Sequence, residues 1–243
     1  MKFLARKETL LDGLQTISGA VATKSTLPIL TNIILESEED ALKLVATDLE
    51  VSIETRVEAD IDEPGSCTIP AKKLRRLVKE LPSSDTEILF EITDDSTAEL
   101  RIQETSSSFT MPVLDREEYP DLPSVGDGTT FSVDAEELNH ILDHSTFAAG
   151  TDTSRSYLCG VYFDIDGEEM SVVATDAHRL ALHRADVKGN DESLSLLVPT
   201  KASKELTKIL RDGEDDYQLG LPEAVEEGLP EEPVDRAEKL AGD

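Results

Sequence analysis

Cysteines and long apolar runs are both scarce in this 243-residue sequence. Cys67 and Cys159 are too few and too widely separated for a disulfide framework or a zinc knuckle, so we expect small core residues in a reducing compartment. No stretch approaches the ~20 apolar residues of a membrane-spanning helix. The sequence therefore predicts a cytoplasmic protein without membrane contact, and it contains no recognisable cofactor motif.

Basic residues are also few, because 23 Lys and Arg stand against 52 Asp and Glu, a net charge of −29. Such an average field repels a polyanion, so binding to nucleic acid would require the cations to be gathered on one surface. Trp is absent and aromatic residues make up 4%, which counts against stacking on single-stranded bases. The hydrophobic content of 38% is adequate for one large domain or two ordinary ones.

The chain repeats itself at an offset of 128 residues. The run Ala46-Thr47-Asp48 matches Ala174-Thr175-Asp176, and one inserted residue then shifts the offset to 129. Further matched pairs are Phe3 with Phe131, Leu10 with Leu138, Leu14 with Leu142, Leu30 with Leu158, Pro70 with Pro199 and Lys72 with Lys201. The repeat predicts two homologous domains.

Each copy shows the same order: a short strand, an amphipathic helix, several strands, a strand ending in Pro and a second helix. Asp134 is the expected N-cap of the first helix in copy two. This order predicts α+β domains, each with two helices packed on one face of antiparallel sheets. We expect domains at 1–125 and 127–221, the second without its last two strands, followed by an acidic, Pro-rich, irregular tail at 222–243.

Basic residues gather on the second helix of each copy. These are Lys72, Lys73, Arg75, Arg76 and Lys79 in copy one, and Lys201, Lys204, Lys208 and Arg211 in copy two. An ordinary solvated helix face explains one such helix, but two equivalent helices in so acidic a chain favour a surface for a polymer of phosphates, with duplex backbone the better candidate.

Two other patterns resemble metal sites only weakly. His140 and His144 have a zinc-chelating spacing, but "NHILDH" lacks the Glu of HExxH and no third ligand is evident, so surface histidines are the better interpretation. The segment "DIDGEE" lacks the later ligands of a calcium loop, and Asp166-Gly167 is typical of a hairpin turn.

Asp176, His178 and Arg179 stand close together in "VVATDAHRLAL", without a nearby nucleophile or metal ligands. The Asp belongs to the repeat, since Asp48 matches it, whereas His178 and Arg179 match Glu50 and Val51. We therefore expect the Asp to accept hydrogen bonds from backbone donors in a turn, and the unshared residues to mark a specialised surface of copy two.

Several segments together resemble the bacterial sliding clamp family, the beta subunit of DNA polymerase III. They are "TLPILTNIIL", "LVATDLEVSIE", "TIPAKKLRRLVKELP", "SRSYLCGVYFDI" and "VVATDAHRLAL", in collinear order within residues 1–221. The resemblance implies a DNA polymerase processivity factor that is not an enzyme. In this family, two three-domain protomers form a ring whose helices surround duplex DNA.

The resemblance also implies site residues. For DNA binding these are Lys24, Lys72, Lys73, Arg76, Lys201 and Lys204. For the clamp-binding peptides of the polymerase and the clamp loader they are Leu158, Thr175, Ala177, His178, Arg179 and Leu180. Many family members have Gly where this chain has Ala177, which narrows the backbone freedom expected there.

The family's third domain has no counterpart within these residues, and with it would go part of the peptide cleft and half of the dimer interface. On this basis we expect a monomer or loose edge-to-edge associations rather than a closed ring. The alternative to a working clamp is a clamp-like interaction module, or an inactive fragment, that competes for clamp-binding partners.

Overall fold

The structure, a computed structural model, describes residues 1–23, 25–102, 104–122, 130–188, 193–212 and 218–220. The chain divides into two compact units, unit 1 at Met1–Leu122 and unit 2 from Pro123 onward. The predicted domain limits at 125 and 127 and the predicted tail at 222–243 lie outside the described residues and stay predictions. No helix in the described part of the chain is long and apolar enough to cross a membrane.

Unit 1 contains nine strands and two α-helices within its described residues. In chain order they are β1 Lys2–Arg6, α1 Lys7–Thr16, β2 Asn32–Ser37, β3 Ala41–Thr47, β4 Ser52–Glu58, β5 Asp60–Glu63, β6 Ser66–Pro70, α2 Ala71–Lys79, β7 Glu87–Asp94, β8 Thr97–Ile102 and β9 Ser107–Pro112. They form two antiparallel sheets with strand orders β5-β1-β7-β8-β9 and β4-β3-β2-β6. The helices α1 and α2 pack against each other.

Unit 2 repeats this plan. Its elements are β10 Thr130–Ser132, α3 Ala135–Ser145, β11 Gly160–Asp166, β12 Glu169–Thr175, β13 Leu180–Asp186, β14 Leu194–Pro199, α4 Thr200–Asp212 and β15 Gln218–Gly220. The sheet β13-β12-β11-β14 corresponds to β4-β3-β2-β6 of unit 1, and β10 pairs with β15. The helices α3 and α4 pack together as α1 and α2 do. The α+β class with two helices in each unit is confirmed.

Alternating burial along the strands explains the cores. In β12 of unit 2, alternate apolar residues are buried under the helices, as the two-residue period of a one-sided sheet requires, whereas β3 of unit 1 is buried on both faces over its last four residues. In unit 1, Phe3 of β1 stacks on Phe90 of β7 at 4.8 Å between ring centroids, which joins the first strand to the sheet. In unit 2, Asp134 caps α3 by accepting from the Glu137 amide at 3.0 Å, as predicted.

Two strand assignments from the sequence differ from the structure. The segment "EVSIETRVEA", predicted as one strand, contains β4 alone, and the structure adds β5, which was not predicted, where the chain crosses at the buried Ala59 from one sheet to the other. In "ILTNIILES" the first residues belong to a short 3-10 helix, Pro28–Thr31, since Pro28 has no amide proton to donate to a strand ladder.

Gly13 allows α1 to lie directly on the sheet of unit 1. A Cβ atom at this position would stand 2.4 Å from Val57 Cγ1 and 2.6 Å from Leu44 Cδ1. We expect Gly13→Ala to lower the free energy of unfolding by ~1–3 kcal/mol through overpacking, although Gly→Ala in an open helix is usually stabilising. Urea denaturation measures the change, with the exposed Gln15→Ala on the same helix as control; a gain in stability for Gly13→Ala would contradict the close packing.

The charge balance predicts that the fold is stabilised by salt. Because 52 acidic residues outnumber 23 basic ones, repulsion among the acidic side chains opposes the compact state. Salt at ~1 M shortens the Debye length to ~3 Å and so screens this repulsion. Relief of ~2 kcal/mol would raise Tm by about 4–8 °C in a chain of this size. Calorimetry at increasing KCl concentration measures the shift, and a fall in Tm would show that attractive ion pairs outweigh the repulsion.

Candidate functional site

The helix α2 exposes five cations, here called the α2 cations: Lys72, Lys73, Arg75, Arg76 and Lys79. The opposite face of the helix is anchored by the buried Leu74 and Val78. None of the α2 cations forms an ion pair or a side-chain hydrogen bond with another described residue. This face therefore carries positive charge that remains available to an external anion.

The equivalent helix α4 is partly neutralised. The Lys208 ammonium contacts the Glu205 carboxylate at 2.6 Å, and the Arg211 guanidinium is paired with Asp143 of α3. A cation that is already paired with a carboxylate gains less free energy from binding a phosphate. The carboxylate must either be displaced or remain nearby, where it repels the phosphate. The two helices, which the sequence presented as equivalent, thus differ in how many of their cations are paired with carboxylates.

The remaining residues predicted to contact DNA differ in solvent exposure. Lys204 of α4 is exposed and has no ion pair with a described residue, whereas Lys201, in the first turn of α4, is half-buried. Lys24 lies outside the described residues. Lys204 is accordingly the exposed α4 cation that has no ion pair with a described residue.

The loop between β12 and β13 is organised by Asp176. Its Oδ1 atom accepts from the amides of His178 and Arg179, both at 3.0 Å, and its Oδ2 atom accepts from Arg179 Nε at 3.1 Å. Thr175 Oγ1 donates to the Arg179 carbonyl at 2.7 Å and accepts from the Ala177 amide at 3.1 Å. Two side chains thus satisfy the backbone of a loop that would otherwise have few internal bonds.

Unit 1 contains the same loop between β3 and β4. Asp48 Oδ1 accepts from the amides of Glu50 and Val51 at 3.1 and 3.0 Å, and Thr47 takes the place of Thr175. The predicted role of the shared Asp, to hold backbone donors in a turn, is confirmed in both copies.

The residue after the Asp has a left-handed backbone in both loops. Its φ is 76° at Leu49 and 73° at Ala177, a conformation that favours glycine and costs an L-residue about 1 kcal/mol. The Asp and Thr hydrogen bonds offset this cost. The Ala at 177 is therefore accommodated, but the loop depends on those bonds.

Hydrogen bonding lowers the pKa of Asp176. The His178 amide is the largest cause, burial opposes it, and the amide and guanidinium of Arg179 act in the same direction as the His178 amide. Because the carboxyl is more acidic in the folded chain than in the unfolded one, its contribution to loop stability is present above its usual pKa and is lost as the pH falls through the lowered value.

An aromatic residue that the sequence analysis missed lies beside this loop. The Phe147 ring is 57% exposed, and the Arg179 guanidinium carbon stands 5.5 Å above its centroid. Its repeat partner is Gly19, so an unshared aromatic residue was a signal available in the sequence. The exposed Phe147 ring thus adds apolar surface beside the loop.

We use the name docking surface for Phe147, Leu158, Thr175, Ala177, His178, Arg179 and Leu180. Leu180 is 42% exposed at the start of β13, and Leu158 is half-buried at the end of the 3-10 helix Thr153–Leu158. Ala177, His178 and Arg179 are exposed, and Thr175 is half-buried. Exposed apolar side chains beside a rigid loop are suited to a peptide with apolar anchors.

In unit 1 the corresponding surface is covered. Leu30, Ile34 and Val45 are buried beneath Tyr119 and Leu122, which follow the last strand of that unit. The Tyr119 hydroxyl accepts from the amide of Thr47 at 3.1 Å. The partners of the three buried residues in unit 2, at positions 158, 162 and 173, are only half-buried. Only unit 2 therefore offers this surface within the described residues.

The described part of the chain holds neither a calcium loop nor a preformed metal centre at the other two candidates. "DIDGEE" is the β11–β12 hairpin, where Gly167 has a φ of 61° and the Asp164 and Asp166 carboxylates accept from Ser195 and Ser193. The predicted hairpin is confirmed. His140 and His144 are exposed, as predicted, and no group of three or more His, Cys, Asp or Glu among the described residues is arranged to hold a metal ion.

The two cysteines differ in environment. Burial raises the pKa of the Cys67 thiol to about 12, so it is a core residue as predicted. Cys159 is half-buried rather than in the core, because it follows the exposed 3-10 helix at the edge of the docking surface. A thiol reagent should therefore modify one cysteine per folded chain quickly and the second only after unfolding; equal rates would contradict this difference.

Comparison with known protein families gives two matches in chain order. Residues 1–123 match the model of the DNA polymerase III beta subunit, N-terminal domain, and residues 132–226 match that of its central domain. Among curated proteins, the Beta sliding clamp of Pseudomonas aeruginosa is 34% identical over 224 residues, which cover 90% of this chain and 60% of the relative. The Beta sliding clamp of Bacillus subtilis is 31% identical over 232 residues, 92% of this chain and 60% of the relative.

Solved structures agree with the sequence matches. The DNA polymerase sliding clamp from Bacillus subtilis superposes with a TM-score of 0.86 at 29% identity, over 92% of this chain and 60% of that one. A sliding clamp from Pseudomonas aeruginosa bound to griselimycin gives a TM-score of 0.82 at 34% identity, over 90% and 58%. This chain thus spans about 60% of the length of the relatives it matches.

Proposed function

Since the chain belongs to the DNA polymerase III beta subunit family, we propose that it supplies the DNA-binding and partner-docking surfaces of a sliding clamp, a processivity factor that encircles duplex DNA and docks the polymerase and the clamp loader without catalysing a reaction. The observation that carries this proposal is the match of both units, in order, to the family's N-terminal and central domains. The exposed α2 cations and the docking surface supply the two kinds of contact that such a factor needs.

In this proposal the helices contact DNA through its backbone. A sliding protein must bind without preference for sequence, and Lys and Arg on a helix face supply contacts to phosphate that carry no base information. Lys72, Lys73 and Arg76 of α2 provide most of the attraction, with Lys201 and Lys204 of α4 adding less. Lys24 is proposed as a further contact from the resemblance alone.

The docking surface receives short peptides of the partners. Apolar anchors lie against Leu158 and Leu180, while the loop at 175–179 supplies a fixed backbone and the cation of Arg179. Burial of apolar area at ~25 cal/mol per Å² gives such a contact most of its free energy. His178 and Arg179 occur only in copy two, which agrees with the covered surface of unit 1.

A clamp must hold DNA and a partner at the same time, and this requirement can be tested directly. We expect a labelled short peptide with leucine anchors to bind the chain equally well with and without a saturating random-sequence duplex. Fluorescence anisotropy of the peptide and of the duplex, each titrated in the presence of the other, measures both affinities. Mutual exclusion of peptide and duplex would overturn the clamp assignment, as would DNA affinities that differ between unrelated duplexes of one length.

A further inference from the structure

Three of the chain's four histidines meet in unit 2, outside the docking surface. His140 and His144 lie one turn apart on α3, with ring centroids 4.1 Å from each other. His183 of β13 stands 6.2 and 6.3 Å from these two rings. It pairs across the sheet with Val172, whose side chain is buried, so His183 faces the same side, toward α3.

The fold itself does not require histidines at this place. The repeat partners of the three are Asp12, Thr16 and Thr55, which line a groove of about 350 Å³ between α1 and β4 of unit 1. In unit 2 the same place contains three imidazoles drawn from two elements. A single surface histidine needs no explanation, but three that converge from separate positions indicate a shared ligand.

We propose that His140, His144 and His183 bind a divalent transition-metal ion of the zinc class. Imidazole nitrogen is a preferred ligand of such ions, and histidines four apart on a helix can chelate one ion. His144 Nδ1 lies 2.7 Å from the His140 carbonyl oxygen. Because a carbonyl only accepts, this nitrogen carries the proton, and the Nε2 lone pair of His144 is free to ligate.

The rings must shift to close around an ion, since the described residues hold no preformed ligand group. With metal–nitrogen distances of ~2.1 Å and tetrahedral angles, ring centroids stand about 5 Å apart. The His140 and His144 rings therefore separate by about 1 Å and His183 approaches by a similar distance, movements that the two exposed side chains and the half-buried His183 make by small rotations. The net charge of −29 favours a cation, and water completes the coordination.

Binding would connect α3 to β13, and β13 begins at Leu180 of the docking surface. The ion would therefore strengthen the support of that surface without touching a docked peptide. This site does not depend on the proposed clamp function, because its ligands lie outside both the cationic helix faces and the docking surface.

The test is a titration of the 243-residue chain with Zn²⁺, and with Co²⁺ as a spectroscopic substitute, in excess Mg²⁺. Mg²⁺ occupies the many carboxylates but competes poorly for imidazole. We expect one ion per chain, a rise in Tm with Zn²⁺, and visible Co²⁺ absorption of a tetrahedral site. His140→Gln, His144→Gln and His183→Gln should each weaken binding at least ~10-fold.

His178→Gln is the matched control, because His178 is the remaining histidine and lies outside the cluster. It should bind Zn²⁺ as the parent does. If His183→Gln behaves like this control, or if excess Mg²⁺ abolishes Zn²⁺ binding by the parent, the three-histidine site is wrong. Circular dichroism of each variant establishes that a loss of binding is not a loss of fold.

Discussion

Replacing three of the α2 cations by glutamine, Lys72→Gln, Lys73→Gln and Arg76→Gln, should remove most of the affinity for duplex DNA. These cations are exposed and have no described anionic partner, so each is available to a phosphate. Loss of three phosphate contacts should lower affinity by roughly 100-fold or more at low salt and reduce the slope of log K against log salt concentration by about 3.

The matched control removes the same charge elsewhere in unit 1. Lys43, Arg56 and Arg101 lie on strands and are already paired with glutamates, at 3.3, 2.8 and 2.5 Å for their shortest contacts. Changing these three to glutamine lowers the net charge equally, and such surface pairs contribute at most ~1 kcal/mol each to stability. If this control lost as much DNA affinity as the α2 variant, net charge rather than the α2 face would govern binding.

The two helices should not contribute equally. On α4, Lys208 and Arg211 are engaged with carboxylates, which leaves Lys204 as the exposed cation without an ion pair to a described residue. Salt acts on the chain in two opposite directions: it screens the repulsion among acids that opposes folding, and it weakens the contacts of cations with phosphate. Affinities measured at different salt concentrations must therefore be compared on chains that are fully folded under each condition.

Much of the fold was predictable because the chain contains two copies of one domain, whose sequences can be aligned with each other. The match of Ala46-Thr47-Asp48 with Ala174-Thr175-Asp176 aligned the two copies, and Pro70 and Pro199 marked the strand ends before α2 and α4. The separate strand β5 was not predictable, since hydrophobic alternation continues from β4 through the point where the chain changes sheet.

The candidate site was predictable where local sequence determines it. The Asp176 turn depends on bonds within four residues, and its pattern was visible in "ATD". Tertiary neighbours were not visible in this way. The cover of Tyr119 over unit 1, the Phe147 ring under Arg179 and the approach of His183 to α3 all depend on contacts between elements distant in sequence.

The internal repeat also supplies the control for the docking surface. Asp176→Ala removes the acceptor of two amides and the partner of the Arg179 guanidinium, beside an Ala177 whose backbone is left-handed. The loop should then sample other conformations, and affinity for a short peptide with leucine anchors should fall ~10-fold or more, about 1.4 kcal/mol. Anisotropy of the labelled peptide measures the loss.

Asp48→Ala removes the equivalent two amide bonds in unit 1, where the corresponding surface is covered. It should disturb its loop to a similar degree and leave peptide affinity unchanged. Asp176→Asn keeps a carbonyl acceptor but loses the charge, so this variant should bind the peptide with intermediate affinity. In the parent, peptide affinity should decline as the pH falls through the lowered pKa of Asp176, because protonation weakens the carboxylate as an acceptor. The Asn variant has no carboxyl to protonate at this position and should lack that decline. Equal losses for Asp48→Ala and Asp176→Ala would show that the unit 2 loop has no special part in docking.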